Sequence, residues 1–433
     1  MSPSPLDSTS PDRHAPDTVS ITTDPHDGRT TFRPVRLGIA LFLGGVLWIG
    51  PFFANNAVLL PARLEQIAPD DKVGLIALLA ITGSIVAMLA NIFFGALSDL
   101  TRGRLGRRAP WLIVGSFGAS ASLFLLQAAS SPGAILAAWM AFQLFLNAIA
   151  APLLAMLADR VPPARRGTYS AIYGVGVMFG IFGSQIVASG FVTDPVSGMT
   201  VFAVAVLIAG PLVALIAPEK SNLHVPRERF SGSMIARNFS FPRRGARDYY
   251  LALSGKLLFI LGTYSLTGYQ LYILTDYMGV DLAGAGAIIG QMAGIQLVTA
   301  LVFGAISGPI SDRLRRRKVI VIGSAFLVAA ASLIPFAVAQ PWAMLAYALI
   351  AGIGTGIYNS VDQALNTEVL PNPENAAKDL GILNMANTGG QILGPGLTSA
   401  IVGLSGSYGP VFIVATAVVA GSALLIAPIR SVR

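Results

Sequence analysis

The sequence predicts an all-α polytopic membrane protein in which twelve transmembrane helices form two pseudo-symmetric six-helix bundles. The 433-residue chain is 54% hydrophobic and only 12% charged, about half the charged fraction of a soluble protein. Twelve apolar runs reach the length of about 20 residues that crosses a bilayer. One short motif also occurs twice, 213 residues apart, at equivalent places among these runs. Such a repeat is typical of transporters built from two related bundles.

The apolar runs fall into two groups of six. They cover residues 37–60, 73–97, 110–130, 133–157, 168–192 and 199–217, and then 249–274, 283–308, 319–339, 341–366, 380–403 and 409–428. Several runs contain Gly or Pro, which membrane helices tolerate because neighbouring groups satisfy the freed backbone. We therefore divide the chain into a tail over 1–33, a first bundle over 34–217, a linker over 218–248 and a second bundle over 249–433.

The tail and the linker are the polar segments. Residues 1–33 are rich in Ser, Thr, Pro and Asp and lack an apolar run, so we expect a disordered cytoplasmic tail rather than a cleaved signal peptide. The linker carries three prolines and seven basic residues. We interpret its Arg cluster as charge that sets the topology and contacts lipid headgroups, the alternative being a regulatory or partner-binding role.

Positive charge is distributed unevenly between the two sides of the predicted bundle. With the N-terminus inside, 26 of the 29 Lys and Arg residues lie in segments on the cytoplasmic side. Membrane proteins concentrate Lys and Arg in this way in their cytoplasmic loops. The sequence thus predicts a multi-pass protein of the bacterial cytoplasmic (inner) membrane with both termini in the cytoplasm. The net charge of +8 then reflects topology, and nucleic acid is not expected as a partner.

The repeated motif ends the second and the eighth apolar run. At such a place an Asp carboxylate can lie against the N-terminus of a neighbouring helix while Arg side chains bridge to other carboxylates. We expect a cytoplasmic latch that holds in one conformation and breaks in another; the alternative is a motif that only ends a membrane span. The predicted latch residues are Gly95, Asp99, Arg102, Arg107, Arg108, Asp312 and Arg313.

The motif resembles the signature of the major facilitator superfamily, Gly-x-x-x-Asp-Arg-x-Gly-Arg-Arg between the second and third helices. The resemblance covers residues 35–430, and the extended form from Gly95 to Trp111 is similar to the branch of sucrose transporters and glycoside-pentoside-hexuronide symporters. The passage 361–387 is similar to a group of actinobacterial transporters. Leu100 departs from the signature Arg, which Arg313 keeps in the second copy. The resemblance implies a secondary transporter with the major facilitator fold.

Two ionisable residues lie deep within predicted spans, where each charge costs about 2.5 to 3.5 kcal/mol or more. Lys256 lies roughly 10 Å into the seventh span and Asp362 roughly 12 Å into the tenth, counted from the same side at 1.5 Å per residue. In the superfamily that the chain resembles, both helices line the central cavity. We therefore expect Lys256 and Asp362 to form a pair, which either exchanges partners during coupling or is static. Arg63, Glu65 and Asp276 are expected at span ends, with an outer gate or protonation as the alternative for Asp276.

Uncharged polar and aromatic side chains are frequent in the first, fourth, seventh and tenth spans, which line the cavity in that superfamily. Amides can both donate to and accept from hydroxyl groups, and aromatic rings can stack on sugar faces. The alternative is that many of these amides bond helix to helix. The predicted cavity residues are Trp48, Asn55, Asn56, Gln143, Asn147, Tyr264, Tyr269, Gln270, Tyr358, Asn359 and Gln363.

The leading functional hypothesis is alternating-access transport of a small polar solute, a sugar or glycoside, with a proton as the coupling ion. The alternative is a proton-coupled exporter of drugs or natural products, which would need an acidic residue in the first-bundle cavity. An enzyme is not expected, because the three histidines fall in the tail and linker and no metal-ligand cluster is present. We expect no cofactor, and a monomer by default.

Overall fold

The architecture is given by a computed structural model that describes residues 34–223, 242, 246–371 and 376–432. The predicted tail over 1–33 and most of the predicted linker lie outside these residues. Helices account for nearly all of the described chain. The long helices are α1 (Pro34–Ile67), α2 (Lys72–Leu100), α3 (Ala109–Ala128), α4 (Pro132–Arg160), α5 (Pro163–Ser189), α6 (Pro195–Ile216), α7 (Arg247–Thr267), α8 (Leu282–Leu314), α9 (Arg317–Ala337), α10 (Pro341–Glu368), α11 (Ala376–Ser405) and α12 (Gly409–Ile426).

These helices correspond one to one to the predicted spans. Eleven of them are long and apolar enough to cross a membrane. The remaining helix, α11, has 30 residues but is less apolar, because Asn384, Asn387 and Gln391 interrupt its hydrophobic sequence. The prediction of an all-α membrane fold with six helices in each half is confirmed.

The same packing scheme occurs in both halves. In the first bundle α3 packs against α4 and α6, α2 against α4, and α1 against α5 and α6. In the second bundle α9 packs against α10 and α12, α8 against α10, and α7 against α11 and α12. Each contact in one bundle thus has its counterpart six helices later, which is the pseudo-symmetry that the repeated motif predicts.

The two ends of the molecule differ in how the bundles meet. We call the end with the Arg-rich connections 101–108 and 315–316 the basic end, and the opposite one the far end. One apolar core runs through the first bundle and continues into the far-end half of the second. The basic-end part of the second bundle has a separate core, which includes Tyr249, Val361 and Ile426. The apolar cores of the two bundles are therefore continuous at the far end and separate at the basic end.

Within the part of the chain that the structure describes, three π-helical turns interrupt this regular packing. They lie within α1 at Asn55–Leu59, within α5 at Phe179–Gly183, and after α7 at Ile273–Tyr277. A π turn adds one residue to a helical turn and shifts which side chains share a face, and such turns are frequent at functional sites. Between Thr267 and the third π turn the chain forms only a short helix at Gln270–Tyr272.

Candidate functional site

A central cavity of about 680 Å³ lies between the two bundles. Its walls come from α1, α2 and α4 of the first bundle and from α11 of the second. The volume is typical of small-molecule sites, which range from about 300 to 1,000 Å³. The lining residues are Trp48, Ile49, Phe52, Phe53, Ser84, Ala87, Met88, Asn91, Ile92, Gln143, Leu146, Asn147, Lys378, Gly381, Ile382, Asn384, Met385, Thr388 and Gln391.

Hydrogen bonds fix several of these side chains. The indole N–H of Trp48 donates to the hydroxyl oxygen of Tyr173 (3.1 Å), which fixes the orientation of a side chain that lines the cavity. Asn91 Nδ2 donates to Asn147 Oδ1 (3.3 Å), and Asn147 Nδ2 donates to the carbonyl oxygen of Gln143 (2.9 Å). The first-bundle wall therefore combines an aromatic side chain with two amides, Asn91 and Asn147, that are hydrogen-bonded to each other.

The charge of the lining is low. Among the described residues, no carboxylate lines the cavity and Lys378 is its one charged side chain. The Lys378 ammonium lies 3.4 Å from Oδ1 of Asp379, which is almost fully buried. Opposite charge is thus already present beside Lys378, and the other lining residues are uncharged, with apolar side chains more numerous than polar ones.

A small chamber continues the cavity toward the far end. It shares Phe52, Ser84, Gln143 and Gln391 with the cavity, and its further walls are Asn56, Ile76, Ala80, Tyr264, Gly268 and Pro395.

Five of the eleven predicted cavity residues lie at these two spaces. Trp48, Gln143 and Asn147 line the cavity, and Asn56, Gln143 and Tyr264 line the chamber. The structure places the other six elsewhere. They are Asn55, whose amide donates to the carbonyl oxygen of Pro51, the buried Tyr269, Gln270 and Tyr358, and the exposed Asn359 and Gln363.

Sequence reasoning missed the α11 wall. Gly381, Asn384, Thr388 and Gln391 recur every three or four residues and so share one face of a helix. Their spacing, in the least apolar of the spans, was a signal that could have identified this face. Asn91 and Ser84 on α2 were also missed, and neither stands in a comparable pattern.

Lys256 and Asp362 are brought together inside the second bundle. Lys256 Nζ lies 2.8 Å from Asp362 Oδ2, and the two side chains are 5% and 7% exposed. Asn366 Nδ2 also donates to Asp362 Oδ2 (2.8 Å), and the ring of Tyr358 stacks on Phe259. The pair lies between α7 and α10, and neither residue lines the cavity.

The first copy of the repeated motif is centred on Arg108, whose side chain is 4% exposed. Its guanidinium donates to Asp159 Oδ2 through Nε (3.0 Å) and Nη2 (2.9 Å), and it also contacts Asp99 and the hydroxyl of Ser98. Arg107 binds Asp159 as well (2.9 Å). Arg102 donates to the carbonyl oxygen of Leu223.

The carboxylate at the N-terminus of α3 is Glu219 rather than Asp99. Glu219 Oε2 accepts from the backbone N–H of Arg108 (2.8 Å) and of Ala109 (3.5 Å). Asn222 from the same segment binds both Thr101 O and Gly103 N. The start of the predicted linker therefore docks on the motif loop, a contact over more than a hundred residues of sequence.

The second copy uses a different arginine from the one expected. Arg317 donates to Asp312 Oδ1 (2.9 Å) and to Glu368, whereas Arg313 is exposed. In both copies the ion pairs that the structure records join residues of the same bundle. None of these recorded ion pairs joins the two bundles, and the latch role of the motif stays a prediction.

A cluster that we call the far-end bridge joins the bundles at the other end. Lys72 Nζ lies 2.7 Å from Glu65 Oε2 of its own bundle and 2.8 Å from Asp276 Oδ2 of the second. The ammonium also lies 4.6 Å from the ring centroid of Tyr272, whose hydroxyl donates to the carbonyl oxygen of Pro61 (2.9 Å).

Further tyrosines pack around this bridge. The Tyr269 hydroxyl contacts the carbonyl oxygens of Val73 (3.0 Å) and Pro395 (3.1 Å). Tyr408, between α11 and α12, packs on the Tyr269 ring. Burial, and to a smaller degree the charge of Asp276, raises the pKa of the Tyr408 phenol well above its ordinary value. The far end is thus closed by one charged cluster and several buried rings.

Comparison with known proteins gives one family. A sequence model described as Major Facilitator Superfamily matches residues 37–269 and 257–433. "Sugar efflux transporter A" of Dickeya chrysanthemi is 26% identical over 231 residues, which are 53% of this chain and 54% of that protein. The chain thus spans about half the length of this curated relative.

Solved structures share the fold at low identity. A variant of the nucleoside transporter NupG superposes with a TM-score of 0.73 at 14% identity and covers 91% of this chain and 99% of that one. A POT family transporter in complex with 5-aminolevulinic acid gives 0.71 at 13% identity, with 92% and 97% covered. A bacterial homologue of the lysosomal transporter Spinster, inward-facing and occupied, gives 0.65 at 14%, with 92% and 96% covered.

Proposed function

The chain belongs to the major facilitator superfamily, and from this premise we propose that it carries a sugar or glycoside across the bacterial inner membrane by alternating access. It is a membrane transporter and not an enzyme. We choose this class of solute because of the lining of the central cavity. Amides and hydroxyl groups from both bundles line it together with the ring of Trp48. Such groups bind the hydroxyl groups of a neutral solute without a fixed charge.

The orientation follows from the placement of charge. If the positive-inside rule holds, the basic end and both termini lie in the cytoplasm. The cavity, whose lining residues Asn91, Gly381 and Asn384 are exposed and whose far end is bridged by Lys72 and Asp276, then belongs to an inward-open conformation. Transport requires the opposite conformation as well, in which the motif loops close the basic end.

We propose a proton as the coupling ion and the Lys256–Asp362 pair as the place of coupling. A proton on Asp362 would release Lys256 from its counterion, and the buried ammonium would then favour a different packing of α7 against α10. Support comes from the burial of the pair. A buried charge is stable only beside its counterion, so a change of charge on Asp362 must affect Lys256.

Sugar export is the second candidate, because the curated relative is a sugar efflux transporter by name. Export and uptake use the same cavity and differ in which gradient drives the cycle. An exporter of organic cations fits the lining less well, as the described lining residues include no acidic group to receive such a cation.

Binding can be tested with purified protein by a thermal-shift screen against sugars, glycosides and hydrophobic cations, since a ligand of the folded state raises its stability. The variant Gln391→Ala removes an amide from cavity and chamber, and Gln291→Ala removes an exposed amide of α8 as a matched control. We expect a carbohydrate to shift the melting temperature of the wild type and of the control, and to shift that of Gln391→Ala less.

Direction is then tested in proteoliposomes with the sugar that binds placed outside in one set, to follow accumulation, and inside in another, to follow release. Accumulation driven by an inward proton gradient supports symport, whereas release driven by the same gradient supports export. A melting shift with hydrophobic cations and with no carbohydrate would overturn the proposal in favour of a drug exporter.

A further inference from the structure

We propose that Lys72 is the residue that holds the far end closed, and that it thereby sets the equilibrium between the two conformations of the transporter in the absence of solute. The inference rests on how a single ammonium is shared. Glu65 and Lys72 belong to the first bundle, at the end of α1 and the start of α2, while Asp276 belongs to the second. Any opening of the far end must therefore part Lys72 from Asp276.

The surroundings of the ammonium make this contact stronger than an ordinary surface ion pair. Lys72 is 12% exposed, and it has two carboxylates within 2.8 Å and the face of Tyr272 at 4.6 Å. Isolated exposed pairs contribute little, but networks and cation–π contacts contribute more. Removal of the charge would weaken every one of these contacts at once.

The contacts of the far-end bridge can also be broken without burying an unpaired charge. The carboxylates of Glu65 and Asp276 are 33% and 34% exposed, so water can replace the ammonium at either one. When the bundles part, Lys72 keeps Glu65 as its counterion within its own bundle. In the open state no buried charge is therefore left without a counterion. This limits the free energy that opening of the far end requires.

The other contacts across the far end do not depend on charge. Tyr272 donates to the carbonyl oxygen of Pro61 and Tyr269 to that of Val73, and both bonds run from the second bundle to the first. These bonds and the shared apolar core remain when Lys72 is replaced. We therefore expect a variant to shift the balance of conformations and to keep the fold.

The sequence contains no cysteine, so spin labels can be placed without further changes. The pair Asp70→Cys and Leu404→Cys reports on the far end, and the pair Leu105→Cys and Leu314→Cys reports on the basic end; all four side chains are exposed. Distance distributions are measured by pulsed electron spin resonance on the full chain in nanodiscs without solute. The measurement thus does not depend on which solute the protein carries.

Lys72→Gln is expected to raise the ratio of far-end-open to far-end-closed molecules about fivefold or more, since about 1 kcal/mol corresponds to that factor. The basic-end distances should shorten in the same molecules. Asp276→Asn should give a similar shift. This variant leaves the Lys72–Glu65 pair in place, and it serves as a second test if Lys72→Gln does not fold. Arg63→Gln is the matched control, because Arg63 contacts Gln66 and Gln127 of its own bundle.

Unchanged far-end distances in both Lys72→Gln and Asp276→Asn would overturn the proposal. An equal shift in Arg63→Gln would overturn it too, since the effect would then follow from loss of positive charge at this end and not from the bridge.

Discussion

Lys256 and Asp362 are 106 residues apart in sequence, and their charged atoms lie 2.8 Å from each other in the interior of the second bundle. The contact joins α7 to α10, and neither residue lines the central cavity. Because a buried ion pair is stable only as a pair, the change of either partner has consequences for both.

The first prediction concerns this pair. Asp362→Asn leaves the Lys256 ammonium without its counterion, and we expect a loss of about 3 to 5 kcal/mol in the free energy of unfolding. Proton-driven accumulation should disappear while counterflow of solute persists. Asp70→Asn, on an exposed loop, serves as the control. The double variant Lys256→Met/Asp362→Leu should recover most of the stability. Unchanged proton-driven accumulation in Asp362→Asn would remove this residue from coupling.

The second prediction compares the two motif copies. Arg108 is 4% exposed and serves two carboxylates and a hydroxyl, whereas Arg317 is 24% exposed with two exposed carboxylates. Arg108→Gln is expected to lower stability by about 1.5 to 3 kcal/mol, because it removes the charge-assisted hydrogen bonds of a guanidinium that is itself buried, and Arg317→Gln by about 1 kcal/mol or less. The melting temperatures of the two variants, measured side by side, check the order. Equal losses would contradict the difference in burial.

The third prediction concerns Gly106 in the motif loop. Its φ is +81°, and a Cβ built there would lie within 2.4 Å of the Glu219 side chain. Gly106→Ala is therefore expected to lower stability by about 1 to 3 kcal/mol through backbone strain and displacement of Glu219 from α3. Gly103→Ala, three residues earlier, is the control, since its Cβ would meet no atom closer than 3.6 Å. If the two variants melt at the same temperature, the docking of Glu219 on this loop has no effect on stability.

Much of the fold could be predicted from the sequence because each span is long and apolar and because the motif is repeated. The partnership of Lys256 and Asp362 could be anticipated from their equal depths, since an unpaired charge is costly at either place. Both inferences use local properties of single helices.

The cavity lining could be predicted only in part. The first-bundle residues Trp48, Gln143 and Asn147 were identified, but α11 forms the second-bundle wall where Tyr358, Asn359 and Gln363 of α10 were expected. Which face of a helix lines the cavity depends on the tilt of one whole bundle against the other. That tilt differs between the conformations of a transporter, and a single helix sequence does not encode it. The docking of Glu219 on α3 was missed for a related reason, since its donors lie 110 and 111 residues away.

The low apolarity of α11 has a consequence for how the protein is made. Helices leave the translocon for lipid according to their apolar content, and α11 carries its amides and several glycines through the hydrocarbon layer. In the finished molecule α11 packs along α7 of its own bundle and α2 of the other. We therefore expect entry of α11 into the bilayer to depend on helices that are synthesised before it, including α2 of the first bundle.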